Sequence, residues 1–189
     1  MMDLVLCKDR FENLGFSKVY NIKINKITNE SQLRKLNGNL IVIEGGKLNR
    51  EILSKKNVDI LLSPEKDRKE DFLHHRNSGL NHILCKIAHK NKIAIGFSFN
   101  EILKSKEIER AKILGRMKQN IKLCRKYKVN MVVGSFANNK YEMRSLNDLK
   151  SFSRVLGMNT LEVKKAFSLI KDVFKNKQGY ISEGIKVLD

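Results

Sequence analysis

Short apolar runs rich in β-branched residues recur at Leu4–Cys7, Lys18–Ile22, Leu40–Ile43, Val58–Leu62, Lys92–Phe97 and Met131–Ser135. Runs of this length, bounded by polar or glycine-containing stretches, predict buried strands. Between them the period changes. From Glu107 to Tyr127, Leu114, Met117, Ile121 and Cys124 follow steps of three, four and three, which puts them on one face of a long helix. A second helix is predicted from Leu80 or Asn81 to Lys90, with Leu80, Leu84 and Ile87 as its apolar stripe and Asn91 as its stop. Ser145-Leu-Asn-Asp148 has capping-box spacing and Gly157 suits a left-handed helix end, so 146–156 is predicted helical. Thr160 precedes a further periodic stretch, Leu161 to Phe174, with Val163, Ala166, Phe167 and Ile170 on one side.

Alternation of strands and helices predicts an α/β fold built on a parallel sheet. Six strands are two fewer than an eightfold barrel needs, and 189 residues fall short of the usual ~250, so pattern alone allows a reduced barrel or an open doubly wound sheet. No internal repeat or low-complexity linker interrupts the chain. A single domain over 1–189 is expected, with a short tail from about 175 to 189 containing Gly179 and Gly184.

Charge then narrows the partner. Thirty-eight Lys and Arg against twenty Asp and Glu give a formal net charge of +18, which favours polyanions and nucleic acid first. The 41% apolar content and regular Val/Ile/Leu runs argue against disorder. Residues 104–128 alone carry ten basic and two acidic side chains. Lys118, Lys122 and Arg125 form one helical row, and Lys112 and Arg116 another, each side chain about one turn from the next. A solvated polar face would also be charged, but it would normally include acidic partners. Here only Glu107 and Glu109 are present, both in the first turn, where they complement the helix dipole. No uncharged apolar run approaches the ~18 residues of a membrane span. Asp3 in the first strand is unlike a signal peptide, so a cytoplasmic location without membrane association is expected.

The chain offers few groups for chemistry. Cys7, Cys85 and Cys124 are odd in number and widely spaced, which suits reduced, mostly buried thiols rather than disulfides or zinc ligands. His75, His82 and His89 recur every seven residues. On one helix they would stand about 10.5 Å apart, too far to share a metal that binds at roughly 2 Å. Cys85 with His82 makes a nucleophile pair only if a cleft stabilises the thiolate. Gly45-Gly46 lacks phosphate-loop spacing and reads as a turn. No self-sufficient active site and no metal site is expected.

Three stretches carry a family likeness: Val58-Asp-Ile-Leu-Leu-Ser-Pro64; Arg76-Asn-Ser-Gly-Leu-Asn-His-Ile-Leu-Cys-Lys-Ile-Ala88 leading into Ile93-Ala-Ile-Gly-Phe-Ser98; and Glu142-Met-Arg-Ser145 with Asp148-Leu149 and Val155-Leu-Gly157. With the intervening Glu109-Arg-Ala-Lys-Ile-Leu114, they resemble the archaeal ribonuclease P protein component 3 family, related to eukaryotic ribonuclease P/MRP subunits, over about residues 58–160. The resemblance implies an irregular TIM-like barrel with fewer than eight βα units. It implies a subunit that binds ribonuclease P RNA and meets precursor tRNA through the holoenzyme. Component 2 and further protein subunits are the implied partners, and RNA carries out removal of the 5′ leader. The Mg²⁺ of that reaction is not assigned to any residue of this chain. The fold is similar to that of metal-dependent phosphoesterases with a His-x-His pair on the first strand, where this chain has Asp3-Leu-Val-Leu-Cys7. A stand-alone phosphoester hydrolase is the competing reading.

Candidate RNA-contacting residues are Arg76, Asn81, His82, Arg110 and Arg144, near the C-terminal ends of predicted strands where barrel side chains converge, together with Lys112, Arg116, Lys118, Lys122 and Arg125. Arginine leads because its planar fork holds a phosphate with two hydrogen bonds. Asn81 equally suits a helix cap, Arg144 a pair with Asp148, and Ser98 and Ser135 strand-end turns. If about six phosphates are neutralised, RNA affinity falls roughly 10³-fold between 50 and 200 mM salt; an isotherm insensitive to salt would contradict the polyanion reading.

Overall fold

The computed structural model describes residues 1–8, 14–66, 70–177, 180–182 and 185–186, with side chains described through residue 173. In chain order the elements are β1 (Met2–Val5), β2 (Lys18–Asn21), β3 (Ile24–Asn25), α1 (Glu30–Leu33), β4 (Val42–Glu44), α2 (Asn49–Leu53), β5 (Ile60–Leu62) and α3 (His82–Lys90). They continue with β6 (Ala94–Ser98), α4 (Phe99–Lys104), α5 (Glu107–Lys126), β7 (Met131–Gly134), a 3₁₀ turn at Lys140–Glu142, α6 (Leu146–Val155), α7 (Thr160–Lys177), β8 (Tyr180–Ser182) and β9 (Ile185–Lys186).

The architecture is mixed α/β. β3-β4-β5-β6-β7 form a five-stranded sheet in which every pair is parallel, and β1 and β2 form a second parallel pair. Register follows the alternation of side chains. Val42, Ile60, Leu62, Ala94 and Val132 lie on one face with Met2, Leu4 and Phe136. Ile43, Leu61, Ile95, Phe97 and Val133 lie on the other, under the helices. There they meet the buried stripe of α5 (Ile113, Met117, Ile121, Cys124) and that of α7 (Val163, Ala166, Phe167). Each fully buried Leu, Ile or Phe contributes about 1.5–3 kcal/mol.

Several strands start two residues later than the apolar runs suggest, because burial extends beyond the ladder. Val58 and Ile93 are buried, yet the Val58 amide bonds back to the Lys55 carbonyl and the Ile93 amide to the Ala88 carbonyl at the end of α3. α4 went unforeseen: it starts directly after β6, its first turn capped by the Ser98 hydroxyl, which accepts from Glu101 N at 3.4 Å. The predicted tail instead contains the end of α7 and the antiparallel β8–β9 pair. Gly179 and Gly184 lie outside the described residues.

β1 reaches across the chain as well as to β2. Phe136 N donates to Leu4 O and Leu6 N to Ala137 O, both at 2.8 Å. The buried Asp3 carboxylate accepts from Ser135 N at 2.7 Å, Ser135 Oγ at 2.6 Å and Leu4 N at 2.9 Å. Ser135 is thus more than a strand-end turn residue. Burial outweighs these three donors and raises the Asp3 pKa from 3.8 to about 6.

The folded state therefore holds the Asp3 proton more tightly than the unfolded chain does. Its contribution is fully present below about pH 4 and is lost as pH rises through 6, by about 3 kcal/mol. We expect the Tm of the wild type relative to Asp3→Asn to fall by roughly 6–12 °C between pH 4 and pH 7. A difference that stays flat across that range, measured by calorimetry, would remove Asp3 from the pH dependence of folding.

Candidate nucleic-acid interface

After β5 the chain turns through Ser63, at φ 48°, and Pro64 presses on the end of β4. A Cβ on Gly45 would sit 2.5 Å from Pro64 Cα, so Gly45 is required for this approach and is more than a turn residue. The turn places Glu65 under α5, where Asn120 Nδ2 donates to Glu65 Oε2 at 3.2 Å and to Ser78 O at 2.9 Å. One helical turn away, Arg116 Nε donates to Asp71 Oδ1 at 2.8 Å. Gln119 completes the clamp. Its amide donates to Arg76 O and to Ser78 Oγ, both at 2.9 Å, and its Oε1 accepts from Arg76 N at 3.0 Å.

This clamp positions a displayed loop. The Arg76 guanidinium lies across Gly115 of α5, where a Cβ would come within 2.4 Å of Cζ, and Nη1 contacts Asp71 Oδ2 at 3.2 Å. Burial pushes the Asp71 pKa up, but the hydrogen bond from Arg116, the Asn77 amide and the two guanidinium charges outweigh it and hold the carboxyl low. Asn81 caps α3, its Oδ1 accepting from Leu84 N at 2.9 Å, and His82 is exposed beside it. The sequence pattern missed Phe72 and Leu73, which are 58% and 92% exposed. Phe72 stacks on His75 with ring centroids 4.7 Å apart. The available signal was an apolar pair in a polar, aperiodic loop.

The charge rows on α5 are shorter than expected. Lys118 and Lys122 are exposed and Lys112 half-buried. Arg116 is not a surface cation: only 1% exposed, it turns inward to the loop. Arg125 remains exposed, but its fork is engaged by Glu162 through two bonds of 2.7 Å and by Gly157 O at 2.6 Å. Counting acids within the helix could not find these partners, because Asp71 and Glu162 lie 45 and 37 residues away in sequence.

Arg110 follows Glu109 and Arg144 lies over Phe99, next to Asn100; Glu109 and Asn100 both line a different feature. A cavity of about 730 Å³ opens at the C-terminal ends of the strands, lined among others by Glu44, Lys66, Asn100, Glu101 and Lys104. Arg110 folds back on Ser105 O through Nε at 2.9 Å and Nη2 at 2.6 Å. Arg144 donates to Met143 O at 2.7 Å and Tyr141 O at 3.0 Å, with its guanidinium 5.5 Å from the centre of the Phe99 ring. Asp148 is taken up by the capping box with Ser145.

Within the cavity, Lys66 Nζ bridges Glu44 Oε1 at 2.7 Å and Glu101 Oε1 at 3.1 Å, and Lys26 reaches the other Glu44 oxygen at 3.2 Å. Burial disfavours the Lys66 ammonium, but its hydrogen bonds and charge interactions with the two carboxylates prevail and raise its pKa. A lysine held protonated has no lone pair with which to attack or abstract a proton. Among the described residues, no group of three His, Cys, Asp or Glu side chains is placed to hold a metal ion. Cys85 is fully buried, with Cys124 as its hydrogen-bonding neighbour, whereas His82 faces outward, so these two make no nucleophile pair. The three cysteines are buried and form no disulfide with one another.

Arg116→Met removes the cation that holds Asp71 and the segment around Glu65, and we expect it to cost about 3 kcal/mol. Limited proteolysis of the variant should cut first between residues 70 and 78; unchanged Tm and cleavage would show that the loop is held otherwise.

No helix among the described residues is long and apolar enough to cross a membrane. The sequence profile of the RNase P subunit p30 family matches residues 23–180. "Ribonuclease P protein component 3" of Methanococcus maripaludis strain S2 is 34% identical over 148 residues, covering 75% of this chain and 61% of that protein. The protein of the same name from M. maripaludis strain C5 is 32% identical over 190 residues, covering 94% and 79%, and that of Methanosarcina acetivorans 34% over 173 residues, covering 85% and 69%. This chain thus spans about three-fifths to four-fifths of the length of these relatives. A chain in a cryo-EM structure of archaeal Ribonuclease P with mature tRNA superposes with a TM-score of 0.78 at 25% identity, covering 100% of this chain and 98% of that one. The profile covers most of the chain, including the five-stranded sheet β3–β7, the loop clamped on α5 and the Glu44–Lys66–Glu101 bridge, and the chain belongs to the RNase P subunit p30 family.

Proposed function

We propose that this chain is a protein subunit of ribonuclease P, gripping the catalytic RNA during removal of the 5′ leader from precursor tRNA and leaving bond cleavage to that RNA. The observation that carries this reading is the loop of residues 70–82. It is fixed on α5 and displays Arg76, His82 and the Phe72–His75 stack beside Lys112, Lys118 and Lys122. Cations can hold phosphates, and an exposed aromatic face can accept an unstacked base, which is how single-stranded RNA segments are commonly held. Asn81 belongs to the same loop, and Arg110 and Arg144 are proposed as further contacts in the segments next to Glu109 and Phe99. Arg125, already neutralised by Glu162, contributes little, and the buried Arg116 acts by positioning the loop.

The competing hydrolase reading would need a reactive group in the cavity, and Lys66 occupies that position as a protonated bridge. Component 2 and other protein subunits are the proposed protein partners. We further propose that the strands close into a six-membered irregular barrel within one domain of residues 1–189. β2 and β3, two residues apart, would act as a single strand pairing β1 on one side and β4 on the other. The hydrogen bonds from β1 to residues 136 and 137 would join the remaining edges.

Arg76→Ala, Arg110→Ala and Arg144→Ala should each weaken binding to an archaeal ribonuclease P RNA transcript by roughly tenfold, equivalent to one charge-assisted contact of about 1.5 kcal/mol, without unfolding. Gly115→Ala should displace the Arg76 guanidinium and weaken binding with little change in Tm, since the obstructing atoms are the end of a flexible side chain. The protein alone should cleave no precursor tRNA. Cleavage without added RNA, or four variants that bind like wild type, would overturn the proposal.

A further inference from the structure

At the opposite ends of the strands the chain makes the same turn twice. α3 and α5 end at Lys90 and Lys126, and each is followed by one capping residue and then by a lysine in the left-handed region, Lys92 at φ 57° and Lys128 at φ 55°. The hydrogen bonds match as well. Ile93 N donates to Ala88 O and Val129 N to Cys124 O, both at 2.9 Å, and each lysine amide bonds back to the last turn of its helix. Glycine is the usual residue at such a helix end, because a side chain is strained there. Two lysines sit where glycine would be more stable.

Pairing of β6 with β7 sets the two turns side by side, and Ile95 N donates to Asn130 O at 2.9 Å across them. Lys165 of α7 and Lys90 complete a groove of about 560 Å³ that also includes His89 and Asn130. His89 Nδ1 lies 2.9 Å from Lys128 O; because a carbonyl only accepts, that nitrogen carries the proton and the ring braces the second turn. Among the described residues no carboxylate lines the groove and none of its four lysines is in an ion pair. The neighbouring Glu162 is engaged by Arg125. Helix-dipole compensation accounts for Lys90 in the last turn of α3 but not for Lys165, in the second turn of α7.

We propose that this groove is a second RNA-binding surface, taking backbone phosphates on Lys90, Lys92, Lys128 and Lys165 at the end of the strands opposite Arg76 and Arg144. An acidic protein partner is disfavoured because, among the described residues, the apolar side chains lining the groove, Ala88 and Ile93, are fully buried and offer no anchor. Two separated cationic surfaces would let one subunit bridge distinct RNA segments. The inference rests on the RNA-binding reading above and goes beyond it in naming a second face.

The test uses the full chain with Lys92→Gly, Lys128→Gly and Lys165→Gln combined, the glycines supplying the residue that the two positive φ angles favour. A parallel variant combines Lys92→Asn, Lys128→Asn and Lys165→Gln. Binding to an archaeal ribonuclease P RNA transcript and to poly-glutamate is measured between 50 and 300 mM KCl. Loss of three phosphate contacts should flatten the slope of log K against log salt by roughly two to three and lower RNA affinity at least tenfold at 100 mM, with Tm unchanged or raised in the glycine variant. An unchanged RNA slope in both variants, while Arg76→Ala still loses affinity, overturns the groove alone. If Arg76→Ala also binds normally, the RNA-binding reading falls with it. Loss of poly-glutamate binding with RNA binding intact overturns the groove in favour of an acidic protein partner.

Discussion

The exposed loop between β5 and α3 depends on a buried cation. Arg116 gives up its hydration to meet Asp71 beneath the loop, and Asn120 and Gln119 on the same helix satisfy the backbone and side chains around it. A buried guanidinium is tolerated only with such partners, so the loop and the helix constrain each other. Polar groups fix geometry in a way that the non-directional hydrophobic contacts beneath them cannot. Arg76, whose N–H and carbonyl are both hydrogen-bonded to the Gln119 side-chain amide, consequently presents an ordered backbone, so a ligand that bound it would not have to meet that ordering cost.

The two ends of the strands use charge differently. At the C-terminal ends of the strands Lys66 is locked between Glu44 and Glu101, so its charge is taken up within the cavity. At the opposite end Lys90, Lys92, Lys128 and Lys165 have no acidic partner among the described residues, so their charge is not offset there. Net charge alone does not distinguish these situations, since a lysine bridging two acids and a lysine facing solvent count equally toward +18.

The elements legible in the sequence were those with local signatures. The long helix, the capping box at Ser145, the Asn81 cap and the glycine at 157, which takes φ 97°, all stand where pattern placed them. What stayed hidden required partners distant in sequence. Arg116 looked like a surface cation because Asp71, on another segment, is invisible to helical periodicity. Gly45 looked like an ordinary turn because its constraint is the Pro64 backbone. α4 was missed because it follows a strand with no intervening loop, and a six-residue helix has too few turns to show a period. The candidate list mixed residues of different fates, as residue type reveals charge but not the neighbour that absorbs it.

The tie between Asp3 and Ser135 spans 132 residues, with a consequence for how the chain is made. A ribosome adding roughly 5–20 residues per second needs about 7–26 s to produce Ser135 after Asp3. β1 can pair with β2 soon after both emerge, because only about a dozen residues separate them. Its other edge stays open until residues 136 and 137 have been made. For that interval the nascent polypeptide carries a short unprotected strand edge, the kind of template that invites mispairing. The order of synthesis therefore gives β1 a far longer wait for its second edge partner than for its first.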